Sequence, residues 1–276
     1  MLPKIGALPI KQVTAAHILK IMQCAEVRGA ETIAILIRQW CSAIFRYAAA
    51  SLRADADPAA ALKGVIIRPK IKHNRPLSSK EIPQLVAALQ KFGGFRSTRI
   101  AIALLLLTFV RTVELRKATW GEIDLENAVW RIPAARMKMK TEHIVPLSIQ
   151  AVALLTELKG ITGASNWLFP NYRRPDDCMT ATTINRALER MGFNGKNTIG
   201  FSAHGFRGTA STILYELGYR TEVIEKQLAH SESNTVKRAY NQAQYLDERA
   251  VMLQEWASFL DSLKVGSNVV PIKSAA

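Results

Sequence analysis

The run from Ile100 to Val110 is the longest apolar stretch of the chain, with no charge and one hydroxyl, at Thr108. A helix needs about 20 such residues to span a bilayer, so this run is too short to cross one. A helix that is apolar on every side has to be buried instead. The expectation is a buried helix over about Thr98 to Phe109, followed at once by Arg111-Thr112-Val113-Glu114-Leu115.

Periodicity divides the rest of the chain. From Trp120 to Pro146 the strand formers Ile123, Val129, Trp130, Ile132, Ile144 and Val145 are separated by Glu126-Asn127 and by Arg136 to Glu142. That pattern predicts a small antiparallel sheet of three strands. Helical spacing dominates elsewhere, over about 14–22, 30–52, 148–158, 181–191, 203–217, 221–230, 232–239 and 243–262. On the 30–52 helix, Ile33, Ile37, Trp40, Ile44 and Tyr47 share one side, accompanied by Arg38, Arg46 and Arg53. Asp57-Pro58-Ala59-Ala60 reads as a short helix start. Ser78 and Glu81 have the spacing of a capping box and open a new domain, in which Pro83 is expected to distort the first turns. Between the domains, Arg68 to Pro76 is basic, bracketed by prolines and without apolar period, an extended linker laid along a polyanion. The fold class is therefore mainly α, of the α+β kind: a helical N-terminal domain, then a mostly helical domain with a small three-stranded antiparallel sheet. The tail after Leu263 is polar and expected to fray.

Charge narrows the partner. The chain carries 37 Lys+Arg against 22 Asp+Glu, a formal net charge of +15. Residues 1–76 hold 12 of the basic and 4 of the acidic groups, so the excess is densest there. Such an excess points to a polyanion, and to nucleic acid over a membrane, since no basic amphipathic helix with a Trp/Phe face stands out. Cys24, Cys41 and Cys178 are far apart and show neither metal spacing nor a disulfide framework. A reducing, cytoplasmic compartment follows.

The chemistry concentrates in Phe201 to Tyr240. Ser202 is placed to cap a helix that Gly218 ends. His204 and Arg207, three apart, share the face of its first turn, and with the free N–H groups there they form a phosphate-binding corner. Thr221 is placed to cap the next helix, with His230 at its end, where a cation complementing the helix dipole is an equally simple reading. No Gly-rich phosphate loop, H-E-x-x-H or Mg²⁺-holding carboxylate cluster is present, so neither metal nor cofactor is expected. A phosphoryl reaction would then draw on Arg111 and Arg207 for charge, Tyr240 as nucleophile and Lys138 as proton donor to a leaving alkoxide.

Taken in order, Arg111 to Leu115, Met137-Lys138-Met139-Lys140 leading to His143-Ile144-Val145-Pro146-Leu147, His204-Gly205-Phe206-Arg207, Leu228-Ala229-His230 and Ala239-Tyr240-Asn241 form a set. It resembles the tyrosine recombinase (phage integrase) family, and above all the integrases of satellite phages and genomic islands. The resemblance covers residues 78–262, while residues 14–76 resemble that family's core-DNA-binding helical domain. It implies four regions: a core-DNA-binding domain over 1–67, short at its start; a basic linker over 68–77; a catalytic domain over 78–262; and a flexible tail over 263–276. It implies a site-specific recombinase of bacterial or phage origin that cuts and rejoins DNA through a 3′-phosphotyrosyl intermediate, integrating or excising a mobile element.

The same resemblance gives each residue a role. Arg111 and Arg207 would clamp the scissile phosphate, Tyr240 would attack it and Lys138 would protonate the 5′ oxygen. His204 would be the general acid/base, His230 would hydrogen-bond a phosphate oxygen and Glu114 would orient. Arg38, Arg46, Arg68, Lys70, Lys72 and Arg75 are the expected DNA contacts. The implied partners are double-stranded attachment sites, further copies in a tetramer on DNA, and accessory DNA-bending or directionality proteins, with a monomer when free. The last helix, through Leu246, Met252, Leu253, Trp256, Phe259 and Leu260, would dock on a neighbouring subunit, or on its own without DNA. Val110 and Ala229 stand where the family often has glycine. Lys140 rivals Lys138, which keeps the usual spacing to Pro146, and Tyr245 rivals Tyr240 but reads as aromatic packing. Two other readings stay open: a DNA-binding relic without catalysis, and a type IB topoisomerase.

Overall fold

The computed structural model describes residues 2–69, 75–195, 197–230 and 244–264. The chain divides into two compact units, Met1–His73 and Asn74–Ala276.

In the first unit, α1 (Leu2–Ile5) precedes α2 (Ala15–Glu26) and α3 (Glu31–Ala50). Thr14 N donates to His17 Nδ1 at 3.2 Å and starts α2. Ile18, Ile21, Met22 and Ala25 of α2 pack on Ala34, Ile37, Cys41, Phe45 and Ala48 of α3. Ile33, Ile37, Trp40, Ile44 and Tyr47 do share one side of α3, but it is not the buried one. Of that set only Ile37 is buried; Ile33, Trp40, Ile44 and Tyr47 are 47%, 54%, 52% and 71% exposed. The buried face is built from small residues seven apart, Ala34, Cys41 and Ala48, which let α2 approach closely. The bulky residues lie roughly a quarter-turn away. Asp57 Oδ1 accepts from Ala59 N at 2.8 Å and opens a 3-10 turn over Ala60–Leu62, and Leu62 joins this core.

The second unit begins with residues expected in the linker. Leu77 is buried and its N–H donates to Thr209 Oγ1 at 2.8 Å, while Arg75 pairs with Glu81 at 2.8 Å. Ser78 N and Oγ both donate to Glu81 Oε2, and α4 (Glu81–Lys91) follows. Pro83 is the third residue of α4, where a backbone N–H has no intrahelical acceptor, so its missing donor costs nothing and the helix continues.

The apolar run forms α5 (Arg96–Thr108), with Ile100, Ala101, Ile102 and Leu104 to Leu107 buried. Around it pack α6 (Thr112–Arg116), α7 (Ile149–Thr162), α8 (Thr183–Arg190), α9 (Gly205–Glu216) and α11 (Leu246–Lys264). Phe109, fully buried at φ 58°, ends α5. The sheet is β1 (Ile123–Asp124), β2 (Val129–Ile132) and β3 (His143–Pro146), antiparallel in that order. Asp124 accepts from Asn127 N and Nδ2 to make the first turn. Register pairs Trp130 with Val145 and Ile132 with His143, and all four are buried, as a period of two requires.

Helices α9 and α10 (Thr221–Gln227) end alike. After α9, Gly218 at φ 82° donates to Tyr215 O and Tyr219 N donates to Leu214 O. After α10, Ala229 at φ 47° donates to Lys226 O and His230 N donates to Glu225 O. Both are Schellman motifs, which a left-handed residue closes. The expected helix over 221–230 therefore stops three residues early. The expected Ser202 cap gives way to a backbone bond, Gly205 N to Ser202 O at 2.7 Å. Met252, Leu253, Trp256 and Leu260 of α11 are buried against α4, α5, α10 and β3, and Trp256 Nε1 donates to Leu106 O at 2.8 Å. The last helix thus sits on its own unit. The expected helix over 232–239 and the tail beyond 264 lie outside the described residues.

Candidate active site

Three chain turns meet in the second unit: the end of α5, the start of α9 and the end of α10. Arg207 lies in the first turn of α9, where the packing demands glycine at 205. A Cβ there would stand 2.6 Å from the Phe201 ring and 3.3 Å from Arg75 O. Arg207 is 6% exposed; its Nη1 donates to Phe109 O at 2.7 Å and its Nη2 to Leu228 O. Burial, then the charge of Arg111, lowers its pKa to about 10, so it stays a cation at neutral pH.

Arg111 caps α6. Its backbone N–H donates to Glu114 Oε2 and its Nη1 to Glu114 Oε1, both at 2.7 Å, and its Nη2 donates to Ala229 O at 2.9 Å. Glu114 is buried, so this carboxylate fixes Arg111 at both ends. The two guanidinium groups therefore converge on neighbouring carbonyls, Leu228 O and Ala229 O, one residue before His230. Each guanidinium has five N–H donors; the bonds named take two from each.

His230 follows the left-handed turn, its Nδ1 2.7 Å from Glu225 Oε2. His204 stands at the N-terminal end of α9. Desolvation, then Arg207, Arg111 and His230, hold its pKa below the ordinary histidine value, which leaves it neutral near pH 7. The structure thus brings Arg111, Glu114, Arg207, His204 and His230 together. Lys138 is exposed on the β2–β3 connection, outside this hydrogen-bonded cluster. That connection is tied to α6 through Arg136, whose Nη1 donates to Glu114 O at 2.9 Å and which also pairs with Glu122. Lys140, the rival lysine, has φ 52°. Tyr240 lies outside the described residues. Tyr245 packs at the edge of the core with the Arg220 guanidinium 5.3 Å from its ring centre.

In the first unit Arg38 and Arg68 line one concavity with Lys63, and Arg46 is exposed on α3. Lys70 and Lys72 lie outside the described residues, and Arg75 is the ion-pair partner of Glu81.

Four residues beside the cluster were given no role by the sequence. Arg249 is fully buried, and the bonds from its Nε, Nη1 and Nη2 all go to neutral acceptors: Gln227 Oε1, Gln244 O and Ile144 O. Gln227 Nε2 in turn donates to Thr108 O at 2.7 Å. His143 is 4% exposed and its Nε2 is buried without a partner among the described residues. Burial, then the charge of Arg249, pushes its pKa down to about 3, so the ring is neutral. Glu225 holds His230. The available signal was Arg249 itself, a charge in apolar register with Leu253, Trp256 and Leu260. Among the described residues no group of three His, Cys, Asp or Glu could hold a metal ion, and no helix is long and apolar enough to cross a membrane.

Residues 75–246 match the phage integrase family and residues 1–65 the phage integrase central domain. The integrase of Enterobacteria phage P4 is 40% identical over 273 residues, which cover 94% of this chain and 62% of that protein. Prophage integrase IntA of Escherichia coli K12 is 35% identical over 268 residues, covering 97% and 64%. The chain thus spans a little under two thirds of these relatives' length. A crystallised lambda integrase dimer bound to a COC′ core site superposes with TM-score 0.64 at 20% identity, covering 88% of this chain and 84% of that one. The Tn1549 transposon integrase in complex with circular intermediate DNA gives 0.63 at 18%, covering 90% and 88%. These two likenesses speak for the fold alone. With both of its regions matched and relatives such as the P4 and IntA integrases, the chain belongs to the phage integrase (tyrosine recombinase) family.

Proposed function

We propose that the chain is a site-specific DNA recombinase that cuts and rejoins strands to integrate or excise a mobile element. The observation that carries this reading is the convergence of Arg111 and Arg207, from two distant stretches, beside His230. Two fixed guanidinium groups with unused donors suit the non-bridging oxygens of one phosphodiester. In this reading the Tyr240 oxygen bonds to phosphorus as the bond to the 5′ oxygen breaks. His204 takes the phenol proton, Lys138 gives one to the leaving oxygen and His230 donates to the phosphate. The charge that develops is met by the guanidinium groups, so the step is assigned no metal ion. The ester bond is conserved in the 3′-phosphotyrosyl link, and rejoining needs no ATP.

The remaining assignments belong to the same proposal. Residues 1–67 bind the core site through Arg38 and Arg46, residues 68–77 follow the backbone with Arg68, Lys70, Lys72 and Arg75, residues 78–262 catalyse, and 263–276 form the tail. A homo-tetramer on double-stranded attachment sites is supported by a lambda integrase tetramer bound to a Holliday junction. Accessory DNA-bending proteins and a nucleoid setting complete the assignment.

The test is covalent trapping. The full chain is mixed with nicked duplexes tiled across the DNA flanking its own gene, in EDTA, and run on denaturing gels. A protein–DNA adduct is expected, and Tyr240→Phe should abolish it. Binding with no adduct on any duplex leaves a DNA-binding relic, and relaxation of supercoiled DNA without sequence preference leaves a topoisomerase.

A further inference from the structure

We propose that Glu225 and Tyr215 are positioning residues for His230, deciding which of its ring nitrogens faces the phosphate. The inference rests on the phosphate-binding role given to His230 above. Glu225 grips that residue twice: its backbone carbonyl accepts from His230 N at 3.0 Å, and its Oε2 lies 2.7 Å from His230 Nδ1. The other carboxylate oxygen, Oε1, accepts from Tyr215 OH at 2.8 Å. Tyr215 is on α9, whose first turn holds Arg207. The chain of bonds therefore ties His230 to the same helix that places the clamp.

The chemistry follows from what a carboxylate can do. An ionised carboxylate only accepts, so the nitrogen it faces must carry the proton. Nδ1–H is thus committed to Glu225, and Nε2 is the one ring nitrogen left for a ligand. To donate from Nε2 to a phosphate oxygen the ring must be an imidazolium, and Glu225 is its counter-ion. Burial, then the bond to Glu225, pushes the Tyr215 pKa up to about 12, so its hydroxyl remains a donor at working pH. As a surface ion pair, with side chains 44% and 37% exposed, the contact does little for stability. Its value lies in ring orientation, the role that such outer partners have for ligating histidines.

The test uses the full chain labelled with ¹⁵N-histidine, His230 being assigned through His230→Asn. Long-range ¹H–¹⁵N spectra should show the Nδ1–H form at His230 in the wild type and in Glu225→Gln, whose amide oxygen can still accept. Glu225→Leu should lose that signature, and single-turnover adduct formation should fall about 10–100-fold with DNA affinity unchanged. Tyr215→Phe should move both readouts the same way, by less. An unchanged ring spectrum in Glu225→Leu overturns the proposal, as does a changed spectrum with an unchanged adduct rate. Should Glu225→Leu not fold, Tyr215→Phe and Glu225→Gln carry the same decision. If the wild type forms no adduct, the recombinase reading fails, while the ring spectra still decide whether Glu225 governs His230.

Discussion

Arg111 Nη2 donates to Ala229 O at 2.9 Å, and Arg207 Nη2 donates to the carbonyl beside it, Leu228 O. Lysine cannot reproduce this arrangement, because a single ammonium cannot hold Glu114 and Ala229 in the planar fork of a guanidinium. Arg111→Lys should slow adduct formation by roughly 10²–10³-fold, the usual cost of one lost transition-state donor. Arg207→Ala should do the same and also destabilise the fold by about 1–3 kcal/mol, since two buried carbonyls lose their donor. Single-turnover trapping and urea titration read the two effects; an Arg111→Lys variant that cleaves at the wild-type rate would remove the clamp from the mechanism.

Ala229 occupies, at φ 47°, the position that glycine fills in the matching turn at Gly218. A side chain in the left-handed region costs about 1–2 kcal/mol, partly offset by the chain entropy that glycine loses on folding. Ala229→Gly should therefore raise stability by about 0.5 kcal/mol without slowing cleavage. A lower melting temperature would show that the turn is not strained.

His143 makes folding sensitive to acid. Its folded pKa is about 3 against an ordinary 6.5, so between those values the unfolded chain binds the extra proton. Stability should thus fall as pH drops through 6.5, by about 3 kcal/mol at pH 4 from this group alone. His143→Leu should flatten that part of the profile, and thermal melts from pH 7 to 4 would detect it. An identical slope in the variant would mean that the ring can be protonated in place.

Lys138 is exposed on its connection, and its proposed work is confined to the leaving group. Lys138→Ala should slow cleavage of an ordinary phosphodiester about 10²–10⁴-fold. A substrate with sulfur in place of the bridging 5′ oxygen leaves as a thiolate and needs no proton, so the variant should cleave it at nearly the wild-type rate. Equal loss on both substrates would give the lysine another role, and a fall in Lys140→Ala alone would hand the task to its rival.

Trp256 joins α11 to α5, its ring 5.5 Å from that of Phe109 and its Nε1 bonded to Leu106 O. Trp256→Ala should cost about 3–5 kcal/mol, measured by denaturant unfolding of the chain without DNA. A much smaller loss would mean that α11 is not part of this core in solution.

Much of the fold was legible because single signals decided it. The run from Ile100 to Val110 had to be a buried helix, and strand formers spaced around two polar interruptions had to pair as a hairpin sheet. Arg111, His204, Arg207 and His230 were legible as an ordered set of residue types, and the structure brings them close together. The face of α3 was not legible, because small residues such as Ala34 and Ala48 mark close helix packing more faintly than Trp40 and Tyr47 mark apolar surface. Glu225 and Tyr215 were also invisible. Glu225 meets His230 only because Ala229 turns left-handed, and Tyr215 meets Glu225 only because α9 and α10 pack together. Neither event has a sequence period. Helix ends were misjudged for the same reason, since an alanine at position 229 does not advertise the turn that glycine does at 218.

Arg249 seats α11 with bonds to neutral oxygens from the end of α10, from β3 and from the residue before Tyr245. A half-lifted α11 would strand a bare cation away from water and leave those oxygens empty, which makes partial detachment the least favourable arrangement of all. Moving the helix off its own unit therefore means breaking this whole set of bonds together, so one guanidinium fastens three separate pieces of the chain.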